Sequence, residues 1–557
     1  MRFGVMCNGT VFQRWQVVAL NELKEHGHSL VLLITDTRKV PEISRFKQLL
    51  NKKLSIFLFT FLENRVFNPD ARKLADINRE LAGIDILRCH VDQKGYSEYF
   101  TTADVEAIRS FRLDFILRFG FNIIRGDILT AARYGVWSFH HDDELRYRGG
   151  PAGFWEIFNR DPVNGAIMQR LTEKLDGGCI LKKGYLKTVM HSYRGNLEQL
   201  LSVTSYWPSL VADEIEHNPE TVFAISHTVA PVYRVPGNLQ MVRFIVKLIR
   251  NKIQFHCTDL LSAEDWNIGI IRKPIYEVAM GSDNLKKTDI SWMRRRSRNK
   301  YLADPSGFIE NDKLHILAEE YSYFKQKAAI SEIIWDMDTF RVTDHIRVID
   351  YGKHLSYPCI IEHQGEVFCM PESYQSNNIM LYRRDPATGT FTKDRILLDK
   401  VEAVDPTLFF YNGFWWLFFT NKKYSSTHLF IYHAIEITGD YKPHCCNPVK
   451  IDIRSARPAG TPFINKGVLY RPAQDCSVTY GGRVTINKID KLSVHEFVEQ
   501  AINSVDPVAG TLYSKGLHTI SGIKDFTLVD GKRYRFDRYF FISQLRKKLN
   551  KMKPENV

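Results

Sequence analysis

Continuous apolar runs alternate with helically periodic segments through the first third of the chain. Residues 2–7 (RFGVMC) and 29–35 (SLVLLIT) are short and apolar throughout, as strands of a parallel sheet covered on both faces are. Residues 12–26 carry apolar positions at helical spacing and stop at Gly27, and residues 105–110 predict another helix before a strand over 115–117. This order predicts an α/β doubly wound domain over residues 1–210, with ligands bound beyond the carboxyl ends of its strands. The first loop, Cys7-Asn8-Gly9-Thr10, lacks G-x-G-x-x-G, which disfavours a dinucleotide and favours another small-molecule pocket. Residues 54–61 (LSIFLFTF) predict a short buried helix, well below the ~18 residues a membrane span needs.

Residues 211–275 read as a helical linker. Within it, residues 241–253 (MVRFIVKLIRNKI) are amphipathic, with Arg243, Lys247 and Arg250 at helical spacing. The favoured reading is a helix packed between domains; the other is weak contact with an anionic membrane surface. From residue 276 the period shortens, and strand, tight polar turn, strand recurs. Residues 308–317, 359–368, 408–419 and 462–470 are four copies about 50 residues apart, and a fifth is expected within 506–548. That spacing predicts a five-bladed β-propeller over residues 276–545, followed by a basic tail over 546–557. Asp304, Tyr357, Asp405 and Arg457 each precede a proline near the start of a copy. In a propeller, equivalent positions meet at one mouth of the central channel. Asp304, His354, Glu372, Asp405, Arg457, Gln474, Asp475 and His518 are therefore expected to share one polar pocket.

Composition narrows the classes. The chain has 557 residues, too many for one core, and its 44% hydrophobic and 25% charged content is that of ordinary globular domains. A net charge of +13 suits an anionic partner such as a nucleotide-sugar or a folate. No zinc finger or RNA-binding signature points to nucleic acid, and none is expected. The nine cysteines form no C-x-x-C pair, which disfavours a disulfide framework and a structural zinc site; Cys445-Cys446 beside His444 reads as a loop. The first residues read as a core strand and not a signal peptide, so the expected location is cytoplasmic. The run from Arg294 to Lys300 reads as a solvated basic loop.

Chemistry concentrates in residues 135–179. A strand over 135–139 delivers His140 to a polar loop, followed by the turn Arg148-Gly149-Gly150, a helix over 153–158, and Leu175-Asp176-Gly177-Gly178. A histidine and a later aspartate at strand ends suit acid–base work, because a carboxylate fixes an imidazole in one tautomer. His140 and His141, pointing to opposite faces of a strand, do not suit one metal ion.

These motifs resemble the folate-dependent formyltransferases over residues 1–210. Their family pattern runs G-V-x-N-x-H, then R-G-G, then L-D-x-G. The resemblance implies 10-formyltetrahydrofolate as formyl donor and a primary amine as acceptor, most plausibly on an amino sugar. It implies His140 as oxyanion stabiliser and proton donor, Asp176 as its orienting partner and the amine's base, and a folate pocket formed by Phe119, Gly120, Arg148, Gly149 and Gly150. Two departures stand out. Ser138 replaces the family asparagine, a shorter oxyanion donor, and 141–145 (HDDEL) replaces an apolar stretch ending in proline.

Residues 290–540 resemble the propeller domain of the glucosamine inositolphosphorylceramide transferases, itself similar to furanosidase-type glycosidases. The resemblance rests on Met370-Pro371-Glu372-Ser373, Val404-Asp405-Pro406-Thr407, Arg457-Pro458-Ala459-Gly460, Arg471-Pro472-Ala473-Gln474-Asp475-Cys476 and Gly516-Leu517-His518-Thr519. Glycosidases of that shape place two carboxylates about the bond they cut, and Asp304, Glu372 and Asp405 are available. The sequence thus predicts an N-formyltransferase fused to a carbohydrate-related propeller. The alternative is a propeller-based glycosidase, or a glycan-binding protein associated with glycosyl transfer, carrying a degenerate front domain. A methionyl-tRNA formyltransferase is disfavoured, because a propeller stands where those enzymes carry a small basic barrel.

Overall fold

The computed structural model describes residues 1–38, 54–77, 81–174, 177–281, 285–339 and 341–552. The chain divides into two compact units, Met1–Ile253 and Gln254–Val557.

The first unit is built on a seven-stranded sheet. Its strands are β1 (Arg2–Cys7), β2 (Ser29–Asp36), β3 (Asp85–Cys89), β4 (Phe115–Arg118), β5 (Val136–His140), β6 (Val163–Arg170) and β7 (Cys179–Lys187), in the spatial order β7-β6-β5-β4-β1-β2-β3. The run from β5 to β3 is parallel, and β6 and β7 are antiparallel additions. The parallel strands are the unbroken apolar runs of the sequence, because side chains on both faces are buried. Met6, Leu32, Ile34, Ile116 and Val136 pack with Val105 and Ile108 of helix α1 (Thr102–Ser110). Phe3, Phe115 and Trp137 stack across three neighbouring strands, with ring centroids 5.3 and 3.8 Å apart. Burying each such ring contributes about 1.5–3 kcal/mol.

The second unit holds five antiparallel sheets. Four follow the chain in order, starting at β10 (Lys300–Glu310), β14 (Ser356–His363), β18 (Ala403–Tyr411) and β22 (Phe463–Asn465). The fifth pairs β8 (Ala263–Ile271) with β27 (Phe526–Arg535), flanked by β9 (Ile290–Trp292) and β26 (Ile520–Ile523). One sheet thus joins the unit's first and last long strands. The expected hairpins carry positive φ at both central residues, Asn311-Asp312, Gln364-Gly365, Asn412-Gly413 and Lys466-Gly467, the geometry whose twist matches paired strands.

Several expectations are corrected. The bounds 211–275 of the expected linker do not hold at either end. Helix Trp207–His217 packs within the first unit and β8 is a full sheet strand. The partner of β8 lies 260 residues away in sequence, which no local pattern reveals. Half of the fifth sheet accordingly comes from before residue 300, outside the expected 506–548. The basic tail is part of a longer helix, Arg538–Met552, and residues 553–557 lie outside the described residues. The run 54–61 is not buried: Leu54, Phe57 and Phe61 are exposed, and Phe59 alone in that helix is buried. Apolar residues on every side of a short helix cannot all face one neighbour. No described helix is long and apolar enough to cross a membrane.

Candidate functional site

Ser138 and His140 stand two residues apart on β5, so both point to one face of the sheet. They line one cavity at the carboxyl ends of β4 and β5, together with Arg118, Asn122, Ile124 and Gln169. The cavity encloses about 540 Å³, open solvent included. Ser138 Oγ accepts a hydrogen bond from Arg118 Nε at 3.1 Å, which leaves the hydroxyl proton free to be donated elsewhere. His140 is half-buried, and its Nε2 lies 3.0 Å from the carbonyl oxygen of Tyr147. A carbonyl only accepts, so Nε2 carries the proton and Nδ1 keeps a lone pair in the neutral ring. Gln169 Oε1 is buried without a hydrogen-bond partner among the described residues.

The other expected pocket residues divide. Asp176 lies outside the described residues. Arg148 and Gly149 form a short parallel strand with Val232 and Tyr233, and a side chain on Gly149 (φ +88°) would collide with the Tyr233 carbonyl at 2.3 Å. Gly150 accepts from Trp155 Nε1 at 3.3 Å. The Arg-Gly-Gly turn therefore anchors residues 232–233 and does not line the cavity. Phe119 lies in a separate polar cleft with Trp15, Arg72 and His141. Gly120 is held against the first loop, where a side chain would meet Asn8 Oδ1 at 2.6 Å.

The polar substitution at 141–144 has a structural account. His141 turns away from His140 to Thr204, 3.0 Å away, and burial drives its pKa down to about 3. Asp142 Oδ1 accepts from Gly153 N at 2.7 Å, and Lys183 bridges Asp143 and Glu144 at 3.0 and 2.9 Å. Burial, reinforced by Asp161 and Asp143 and opposed by a hydrogen bond with Asp142, pushes the Glu156 pKa up to about 8.

In the second unit the strands beginning successive sheets converge on a buried polar cluster. Asp304, Tyr357 and Asp405 each precede a proline, each has positive φ (52°, 44° and 49°), and each marks a slip in strand register. A non-glycine residue in this region costs about 1–3 kcal/mol, and a following proline disfavours it further. The same costly conformation in three successive sheets turns three side chains toward one place. Asp304 Oδ1 accepts from Thr519 Oγ1 at 2.9 Å and lies 3.2 Å from His518 Nε2, while His518 Nδ1 is 2.5 Å from Asp530 Oδ2. Asp405 accepts from Arg457 Nε at 2.5 Å and from Gln474 Nε2 at 2.6 Å, and its own N–H donates to Glu372 at 2.9 Å. Tyr357 Oη accepts from Gly460 N at 2.6 Å and bonds Thr407 at 2.9 Å.

Carboxyls outnumber cations here. Asp304, Glu319, Glu372, Asp405 and Asp530 surround Arg457 and His518, all buried. Burial, then Asp405, pushes the Glu372 carboxyl well above its ordinary range; burial, then Asp304 and Glu372, does the same to Glu319. Both are held protonated at neutral pH. For His518, burial opposes the charge, but Asp530 and Asp304 outweigh it and raise the pKa. The cluster thus sets carboxyls pushed upward by burial beside Asp405, which is paired with Arg457, and carboxyls held in different environments are what acid–base chemistry on a glycosidic bond uses.

Asp304, Glu372, Asp405, Arg457, Gln474 and His518 are brought together as expected by position. Asp475 is not: its carboxylate takes Ser477 N and Oγ at 2.9 and 2.6 Å and faces Arg483, because neighbours on a strand point to opposite faces. His354 stands at the margin, accepting from Ala328 N at 3.1 Å, with Nε2 3.9 Å from Glu319. Sequence reasoning missed Glu319, Asp530, Tyr480 and Trp266, whose ring stacks on His518 at 3.9 Å. A signal for Glu319 existed. Counting the same distance on from each hairpin turn, from Asp312, Gly365, Gly413, Gly467 and Asp525, reaches Glu319, Glu372, Thr420, Gln474 and Lys532, all buried.

Residues 287–530 match the family described as glucosamine inositolphosphorylceramide transferase 1, N-terminal. The chain is similar to glucosamine inositolphosphorylceramide transferase 1 of Oryza sativa subsp. japonica, 32% identical over 212 residues, which are 37% of this chain and 28% of the relative. It is also similar to the methionyl-tRNA formyltransferase of Agathobacter rectalis, 30% identical over 102 residues, 18% of this chain and 33% of the relative. Among solved structures it is similar to Zg3597, a family 117 glycoside hydrolase of Zobellia galactanivorans, at 13% identity and a TM-score of 0.32, over 49% of this chain and 91% of that one. The chain spans less than a third of the length of the rice relative it matches.

Proposed function

We propose that this chain is a glycan-modifying transferase. Its first unit moves a formyl group from 10-formyltetrahydrofolate to a primary amine of an amino sugar or sugar conjugate. Its second unit is a five-bladed propeller that binds carbohydrate through the Asp304–Glu372–Asp405 cluster. The observation that carries the first part is the cavity at the ends of β4 and β5, where Ser138 and His140 share a wall with Arg118. The cavity suits a pterin: Ile123, Ile124 and Leu171 offer apolar walls, and the orphaned Gln169 Oε1 offers an acceptor to a ring amine.

The folate, when bound, supplies the formyl carbon. The Ser138 hydroxyl, polarised by Arg118, donates to the oxygen that gains negative charge as the amine adds. His140 Nδ1 accepts the amine's proton, and the resulting imidazolium returns it to the departing nitrogen. Asp176 assists deprotonation of the amine in this reading. Calorimetry with 5-formyltetrahydrofolate tests it. Saturable binding by wild type, lost when Arg118→Met and Gln169→Leu alter the cavity walls, supports the proposal. A folded wild type that binds nothing sinks it.

A second reading is favoured by one observation, the buried Glu372 carboxyl accepting the Asp405 N–H while the Asp405 carboxylate pairs with Arg457: the second unit performs the glycan chemistry itself. Activity on a glycan that Asp405→Asn abolishes and His140→Ala leaves intact would establish that order of importance.

A further inference from the structure

The pair Cys445-Cys446 has more around it than its sequence suggests. The two Sγ atoms lie 3.4 Å apart, and both thiols point at the carbonyl oxygen of His495, at 3.5 and 3.8 Å. His444 is buried, its Nδ1 accepts from Cys446 N at 3.1 Å, and its Nε2 has no hydrogen-bond partner among the described residues. One ligand atom from each of His444, Cys445 and Cys446 falls within 4.8 Å of the others. Tetrahedral zinc bonds of about 2.3 Å to sulfur and 2.0–2.1 Å to nitrogen place neighbouring ligand atoms roughly 3.5–3.8 Å apart, so closure needs small side-chain shifts and no rebuilding of the backbone.

The strand register places a second histidine on the same face. His444 N bonds the Ile431 carbonyl, while Tyr432 and His433 pair with Pro443 and Lys442. His444 therefore shares a face with Ile431 and, two residues on, with His433. The Nδ1 of His433 is buried and has no hydrogen-bond partner among the described residues.

We propose that Cys445, Cys446 and His444 form a binding site for a thiophilic cation of the zinc(II) class, with solvent completing its coordination. Two thiolates and an imidazole nitrogen are the donor types that such ions select. Binding replaces two S–H bonds by two metal–sulfur bonds and releases two protons to solvent. Ligation through His444 Nδ1 displaces its contact with the Cys446 N–H.

Cobalt(II) titration of the reduced full chain tests this, in a Cys257→Ser background because Cys257 is exposed. The expected result is one equivalent bound, with thiolate-to-cobalt charge transfer and the visible bands of a tetrahedral site, bleached by zinc(II). Cys445→Ser/Cys446→Ser should lose the charge-transfer band, and His444→Ala should weaken binding on the order of 10–100-fold. Circular dichroism establishes that each variant is folded. Three results each overturn the proposal: no charge transfer in folded wild type, bands that persist in the double cysteine variant, or equal affinity in His444→Ala.

Discussion

The polar groups of the two units are arranged in opposite ways. In the first unit, His140 is half-buried, is held by one carbonyl, and lines a cavity. In the second, Asp304, Asp405, Arg457 and His518 are buried and mutually bonded, on strands with repeated left-handed backbone. One arrangement keeps reactive groups accessible at small structural cost. The other holds charges in fixed places against desolvation and strain. Removing a group from the first should change chemistry and leave stability alone; removing one from the second should change both.

The largest effect belongs to the second unit. Arg457→Ala leaves Asp405 buried with Gln474 as its remaining side-chain donor and should destabilise that unit by about 3–5 kcal/mol, read as a lower urea midpoint for its unfolding phase. A loss below about 1 kcal/mol would mean that the cluster is hydrated, and the contrast between the units would fail.

Next comes the accessible site. Ser138→Ala should lower formyl transfer by on the order of 10²–10³, about 2.7–4 kcal/mol in the barrier, with folate affinity and melting temperature near wild type. A melting temperature that falls in step with activity would place Ser138 among structural groups and erase the distinction.

A third prediction concerns pH. His141, half-buried and bonded to Thr204, has its folded pKa lowered to about 3 from an ordinary 6.5. The unfolded chain therefore binds the proton first as pH falls, so the stabilisation is present above 6.5 and is lost toward 3. Between pH 7 and pH 5 this amounts to about 2 kcal/mol. His141→Gln, which keeps a hydrogen-bonding side chain without titrating, should flatten that part of the stability profile. An unchanged slope would assign it to other groups.

Legibility in the sequence followed the range of the interactions. The parallel strands, the turns at Gln364-Gly365 and Asn412-Gly413, and the position of His140 at a strand end are set by residues near one another, and the local pattern predicts them. The pairing of β8 with β27 joins residues far apart, and a local reading turned β8 into linker. The Arg-Gly-Gly turn has the composition of a ligand loop, yet its glycines serve the approach of Tyr233. Asp530 sits in mid-strand before Gly531 with no repeat mate of its own type, so only the folded chain shows it beside His518.

The smallest effect separates neighbours. Gln474 and Asp475 are adjacent on the strand Val468–Asp475 and face opposite ways, the amide to Asp405 and the carboxylate to Ser477 and Arg483. Asp475→Ala removes a local turn contact and a partly exposed ion pair, which should cost under about 1 kcal/mol and leave carbohydrate binding by the second unit unchanged. Gln474→Ala removes a buried donor from Asp405 and should weaken both stability and binding, by about 1–3 kcal/mol in stability. Affinity on an immobilised amino-sugar glycan, measured for the two variants side by side, decides the matter. If Asp475→Ala loses binding and Gln474→Ala does not, the carbohydrate lies on the outer face of that strand, and the buried cluster is a structural hub.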